Sequence, residues 1–165
     1  MIFYNVYDKE PISIIKGPEE ITSSTGTFSE VVIDSGVIRQ TKGAIFNWVT
    51  SKIVIMDDGT LSEAEDTNNP SHIFLPSDYK SIIRRESPSL ISTATDNPYA
   101  SIGASLNDYH TFALASEKDS RLLITGDYDL ALPAFLEGQP FIFTQYVSKG
   151  EFLAKIGRLK KELNK

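Results

Sequence analysis

The sequence predicts an α/β domain with a central, mainly parallel β-sheet flanked by helices. Three observations carry that expectation. Short aliphatic runs such as Val31-Val32-Ile33 and Ile53-Val54-Ile55-Met56 recur along the chain and lack the polar alternation of a half-exposed strand. They alternate with segments whose apolar residues fall at helical spacing. Asp34 and Asp127 sit at the ends of two of the runs, the first directly and the second after Thr125-Gly126, and functional groups of parallel sheets gather beyond the carboxyl ends of the strands.

A chain of 165 residues with 41% hydrophobic content closes one core, so a single domain is expected over residues 31–165, with residues 1–30 as an amino-terminal extension that could form a β-hairpin. There is no cysteine, which excludes a disulfide framework and a thiolate zinc site and leaves His72 and His110 as the only softer ligands. A metal site here must be built largely from oxygen. The apolar start is too short for a signal peptide, lacks a basic flank and is broken by Asp8, Lys9, Glu10 and Pro11; a cytoplasmic protein with no membrane partner is expected. A formal charge of -6 argues against a general nucleic-acid coat, which needs a basic surface, but does not exclude a nuclease whose acids are concentrated around metal.

The extension holds two apolar runs and a Ser/Thr/Gly-rich stretch at 22–27 that reads as a loop. Residues 31–38 read as a buried strand ending at Asp34. Ala44, Ile45, Trp48 and Val49 give 42–51 helical spacing, and 53–56 supply the next strand. A short helix follows over 60–66, ended by Asn68, Asn69 and Pro70, and prolines at 76, 88 and 98 break up the stretch beyond it. Residues 105–118 read as a helix capped by Ser105 or Asn107, then 121–125 as a strand, 130–136 as a short helix or turn, and 140–144 as another strand. The last helix starts with a capping box, Ser148 and Glu151, and carries Phe152, Ile156, Leu159 and Leu163 on one face.

Asp108 shares a helix face with Phe112 and Ala115, so its carboxylate turns inward near a helix start and needs a partner. In chain order the acids are Val-Val-Ile-Asp34, Leu61-Ser62-Glu63, Asn107-Asp108 ahead of Phe112-Ala113-Leu114-Ala115, and Leu-Leu-Ile-Thr125-Gly126-Asp127. This series resembles the PIN-domain family over roughly residues 31–157, most closely from Asp108 to Asp129. The resemblance implies a PIN-like three-layer fold and a metal-dependent ribonuclease of the toxin type that cuts single-stranded RNA. It also implies an antitoxin protein as partner and a homodimer. Carried over by position, Asp34, Glu63, Asp108 and Asp127 would bind Mg²⁺ or Mn²⁺, and Thr125 would support Asp127. Hard divalent ions take oxygen ligands, and such ions neutralise charge on a phosphodiester.

Ser35-Gly36 departs from the family, which commonly has Thr or Ser followed by Asn after the first acid. That departure keeps a second reading open, a catalytically weak PIN-like module that binds RNA or protein. Glu65, two residues from Glu63, is the competing second acid. Singly, each acid is explained by helix capping or turn closure; their order carries the inference. His110 reads as a surface or packed residue, Trp48, Tyr109 and Tyr128 as core aromatics, and the basic end of the last helix as compensation of its dipole. Residues 53–61 also resemble the first motif of haloacid-dehalogenase-like phosphatases, but Met56 stands at the nucleophile position and rules out aspartyl-phosphate chemistry.

Overall fold

Successive residues of a strand face opposite sides of a sheet, so runs apolar at every position demand cover on both sides. That is what the chain builds. The structure is a computed structural model and describes residues 3–5, 10–12, 28–89, 97–145 and 147–165; the expected loop at 22–27 lies outside the described residues. Strands β3 (Glu30–Ile33), β4 (Ile53–Asp57), β5 (Ile83–Glu86), β6 (Arg121–Thr125) and β7 (Phe141–Phe143) form one sheet, order β5-β4-β3-β6-β7, all parallel. Residues Phe3–Asn5 (β1) and Glu10–Ile12 (β2) pair antiparallel as a separate two-stranded sheet.

Seven helices accompany the strands among the described residues: α1 (Ser35–Gln40), α2 (Ile45–Trp48), α3 (Asp58–Glu65), α4 (Tyr79–Ile82), α5 (Leu106–Ser116), α6 (Tyr128–Glu137) and α7 (Lys149–Leu163). Val31, Ile33, Val54, Met56, Leu122 and Ile124 pack with side chains of α1, α2 and α3 on one side. Val32, Ile55, Leu123, Phe141 and Phe143 pack with α5, α6 and α7 on the other. The result is a three-layer α/β fold, consistent with the PIN-like architecture the sequence predicts.

Some elements differ from expectation. The run 31–38 is split: β3 stops at Ile33, Asp34 takes the position before a helix, and α1 begins at Ser35 although Val37 and Ile38 are β-branched. Both are fully buried, and burial outweighs their propensity. The helix expected over 42–51 is only the single turn α2, because Thr41 ends α1 and Lys42 and Gly43 turn through positive φ of 51° and 81°. A Cβ at Gly43 would stand 2.7 Å from the Phe74 carbonyl, so only glycine fits there. The segment expected at 130–136 is the longer α6, with Pro133 inside it. β5 was not foreseen, since only Ile83 of its residues is buried and Arg84 and Arg85 are exposed at the sheet edge.

At the amino end of β6, Arg121 is buried and bonded from Nε to Glu30, which opens β3, at 3.0 Å, from Nη2 to Glu86, which closes β5, at 2.7 Å and from Nη1 to the Leu114 carbonyl at 2.9 Å. One guanidinium thus ties β3, β5 and β6 to α5. Burial raises the Glu30 pKa, but the Arg121 hydrogen bond and charge outweigh it and hold the carboxyl below its usual value. Among the described residues no helix is long and apolar enough to cross a membrane.

Candidate metal centre

The strand order reverses between β3 and β6: the chain leaves β3 for β4 and β5 on one side, then returns to β6 on the other. Loops at the carboxyl ends of such neighbours diverge and open a crevice. The register sets Ile33 against Ile124, and the Asp34 N–H continues the ladder to the Ile124 carbonyl at 3.1 Å. Asp34 and Thr125 therefore emerge side by side, and the Thr125 hydroxyl donates to Asp34 Oδ2 at 3.2 Å. The same hydroxyl accepts from the Asp127 N–H at 3.0 Å, so Thr125 links the two aspartates.

A cleft of about 320 Å³ opens at this point, with Asp34, Glu63, Asp108 and Asp127 all on its lining. Asp108 comes from the first turn of α5 and Asp127 from the cap position of α6. Each serves its helix with one oxygen. Asp108 Oδ2 accepts from the Ser105 N–H at 3.0 Å to complete a capping box, and Asp127 Oδ1 accepts from the Asp129 N–H at 2.9 Å. A second oxygen stays available on both. Asp34 holds a cap position without making a capping bond, so capping does not account for it.

Asp129 completes the group and was missed at the sequence level. One carboxylate oxygen from each of Asp108, Asp127 and Asp129 lies within 4.8 Å of the others, all three residues half-buried. The signal was present as Asp127-Tyr128-Asp129, an acid-x-acid pair at a helix start. Glu63 stands apart on the exposed rim, where Asn107 Nδ2 donates to it at 2.6 Å. Glu65 turns away to Arg85 and Tyr79, so of the two glutamates Glu63 borders the cleft.

The acids repel one another and are short of water. Burial, then the charges of Asp108 and Asp127, pushes the Asp34 pKa up to about 7 against the pull of the Thr125 hydroxyl. Burial, then Asp127 and Asp108, lifts Asp129 to about 6, and burial with the Asp108 charge raises Asp127. Asp57, at the end of β4, is also raised by burial, but its Oδ2 accepts from the Gly59 and Thr60 N–H groups and it serves as the cap of α3. Carboxylates converging at short range, with raised proton affinity and hard oxygen donors, make a set suited to a divalent cation of the Mg²⁺ or Mn²⁺ class.

The other residues weighed for chemistry sit elsewhere. His110 lies near Asp57 and lowers its pKa, and Trp48, the last residue of α2, packs against the core. Tyr109 rests against Tyr99 and Phe112. Tyr128, beside Asp127, packs on Phe143 and Phe152, with Lys155 Nζ 5.9 Å from its ring centroid. In comparisons with known proteins, no family model, no curated protein and no solved structure matches the chain.

Proposed function

We propose that this protein is a Mg²⁺- or Mn²⁺-dependent endoribonuclease that cuts single-stranded RNA, as its resemblance to PIN domains implies. The observation that carries the reading is the convergence of Asp34, Asp108, Asp127 and Asp129 at the switch point of a parallel sheet. Asp108, Asp127 and Asp129 would hold the cation, with Asp34 beside them. When bound, such a cation neutralises charge on a phosphodiester and activates water.

The chain's own residues prepare that chemistry. Thr125 prevents Asp34 from turning away and sets the backbone of Asp127, so the two aspartates move as one unit. The capping bonds of Asp108 and Asp127 fix one oxygen of each and aim the other. Asn107 steadies Glu63 at the rim, where an extended polyanion would pass.

The test is Mn²⁺ titration by calorimetry on the wild type and Asp127→Asn, with cleavage of a mixed single-stranded RNA followed in the same buffers. Binding and cleavage in the wild type, both lost in the variant, is the expected outcome. Absence of both in the wild type would sink the reading. A binding module without cleavage is the second reading, and one observation favours it. Position 36 carries no side chain, and a Cβ there would meet only Asp34 Oδ2, at 3.8 Å, so position 36 supplies no group in place of the family's asparagine. Mn²⁺ uptake and RNA binding with intact RNA afterwards would select it.

A further inference from the structure

The cleft has a second wall that the acids leave unexplained. Arg39 and Gln40, in the last turn of α1, line it together with Gln145. We propose that this turn is the phosphate grip of the site: the Arg39 guanidinium and the Gln40 amide N–H donors hold the non-bridging oxygens of a phosphodiester against the carboxylates. The inference rests on the nuclease reading and names how that site takes its substrate.

Two features of the wall support it. First, the arginine is not spent on the acids. The ion pairs among the described residues centre on Arg84, Arg85, Arg121 and Lys165, and none uses Arg39. An exposed guanidinium beside acids, yet unpaired with them, keeps its planar fork of donors for an anion.

Second, the Gln40 amide is held in one orientation. Thr144 Oγ1 donates to Gln40 Oε1 at 2.5 Å, which commits the oxygen and leaves Nε2 as the amide's donor. The amide lies flat over Gly126: a Cβ there would fall 2.1 Å from Oε1 and 2.3 Å from Nε2. Gln145 clamps the same glycine by donating to its carbonyl at 2.5 Å. Gly126 immediately precedes Asp127, so the donor stands next to a carboxylate of the cluster. A phosphodiester brought to such a cluster is repelled by the acids, and fixed donors across the cleft offset that repulsion without movement. Compensation of the α1 dipole explains a basic residue in its last turn, but not the locked amide or the glycine beneath it.

The test compares wild type, Arg39→Ala, Arg39→Lys, Gln40→Glu and Gly126→Ala for Mn²⁺ affinity and for steady-state cleavage of a single-stranded RNA oligonucleotide at several salt concentrations. Gln40→Glu keeps an acceptor for Thr144 and removes the donor but adds a negative charge, so Gly126→Ala, which changes no charge, is its control. Gly126→Ala displaces the flexible end of Gln40 without touching an acid. Arg39→Ala should raise KM by about ten- to hundredfold and lower the salt slope by about one, with Mn²⁺ affinity unchanged and Arg39→Lys recovering part. The two amide variants should shift KM the same way. Variants that cleave with wild-type KM and salt slope overturn the grip while leaving the nuclease reading standing. If the wild type takes up Mn²⁺ but does not cleave, anisotropy of the labelled oligonucleotide in Ca²⁺ decides: binding weakened in Arg39→Ala and Gln40→Glu supports the grip, and unchanged or absent binding overturns it. A wild type that takes up no Mn²⁺ overturns both.

Discussion

Asp34 combines burial with proximity to like charges, and its pKa of about 7, with about 6 for Asp129, lies well above the value near 4 of a carboxyl in an unfolded chain. Between about pH 4 and about pH 7 the unfolded chain has released protons that the folded protein still holds. Metal-free stability should therefore be greatest at the acidic end of that window, fall as pH rises through it, and level off above it. Urea midpoints in EDTA across the window check the direction, and a rise toward neutral pH would contradict it. Asp127→Asn removes one repelling charge while its side-chain oxygen still accepts from the Asp129 N–H. It should raise the metal-free Tm at neutral pH, by about 2–4 °C for each kcal/mol relieved, and abolish Mn²⁺ uptake. Melts with and without Mn²⁺ separate the two effects. Asp34, Asp108 and Asp127 could be picked out in the sequence because each follows a strand or opens a helix. Asp129 could not be told from a turn residue, since nothing local shows that α5 brings Asp108 up to it.

Strands apolar on both faces were readable as buried and parallel, and α5 and α7 announced their starts through Ser105 and Ser148. Edge strand β5 and helix α1 were not readable, because the first presents a single buried residue and the second is held helical by its packing against the sheet. Nor did the chain hint that Arg121 would be enclosed. That ion cluster belongs to three strands at once, and its prediction is made there. Arg121→Ala leaves Glu30 buried without its main partner and should cost about 3–5 kcal/mol of stability, read as a loss in urea midpoint; adding Glu30→Gln should return part of it. The α3–α5 seam gives a milder case. A Cβ at Gly59 would fall 2.2 Å from Asn107 Oδ1, the end of a side chain that can swing aside. Gly59→Ala should leave Tm nearly unchanged while releasing Glu63 from Asn107, which a lowered cleavage rate would report.

The molecule as a whole separates its charges: a buried arginine at the start of β6 pairs with glutamates of β3 and β5, and the cleft beyond the ends of β3 and β6 gathers acids that raise one another's pKa. A cation binding only the folded form should stabilise it by about 2.7 kcal/mol at a hundredfold excess over Kd. Below about pH 7 its uptake should release protons, visible as a dependence of calorimetric heat on the ionisation enthalpy of the buffer. The Asp34–Thr125 hydrogen bond spans 91 positions of chain, and Asp108 and Asp127 come from elements on either side of β6. Such distant pairing is slow to form, because a long loop must close before any contact rewards it. In a refolding experiment, Mn²⁺ affinity should therefore be absent from any early collapsed species and emerge only as β6 docks beside β3, making cation uptake a clock for a long-range step of folding.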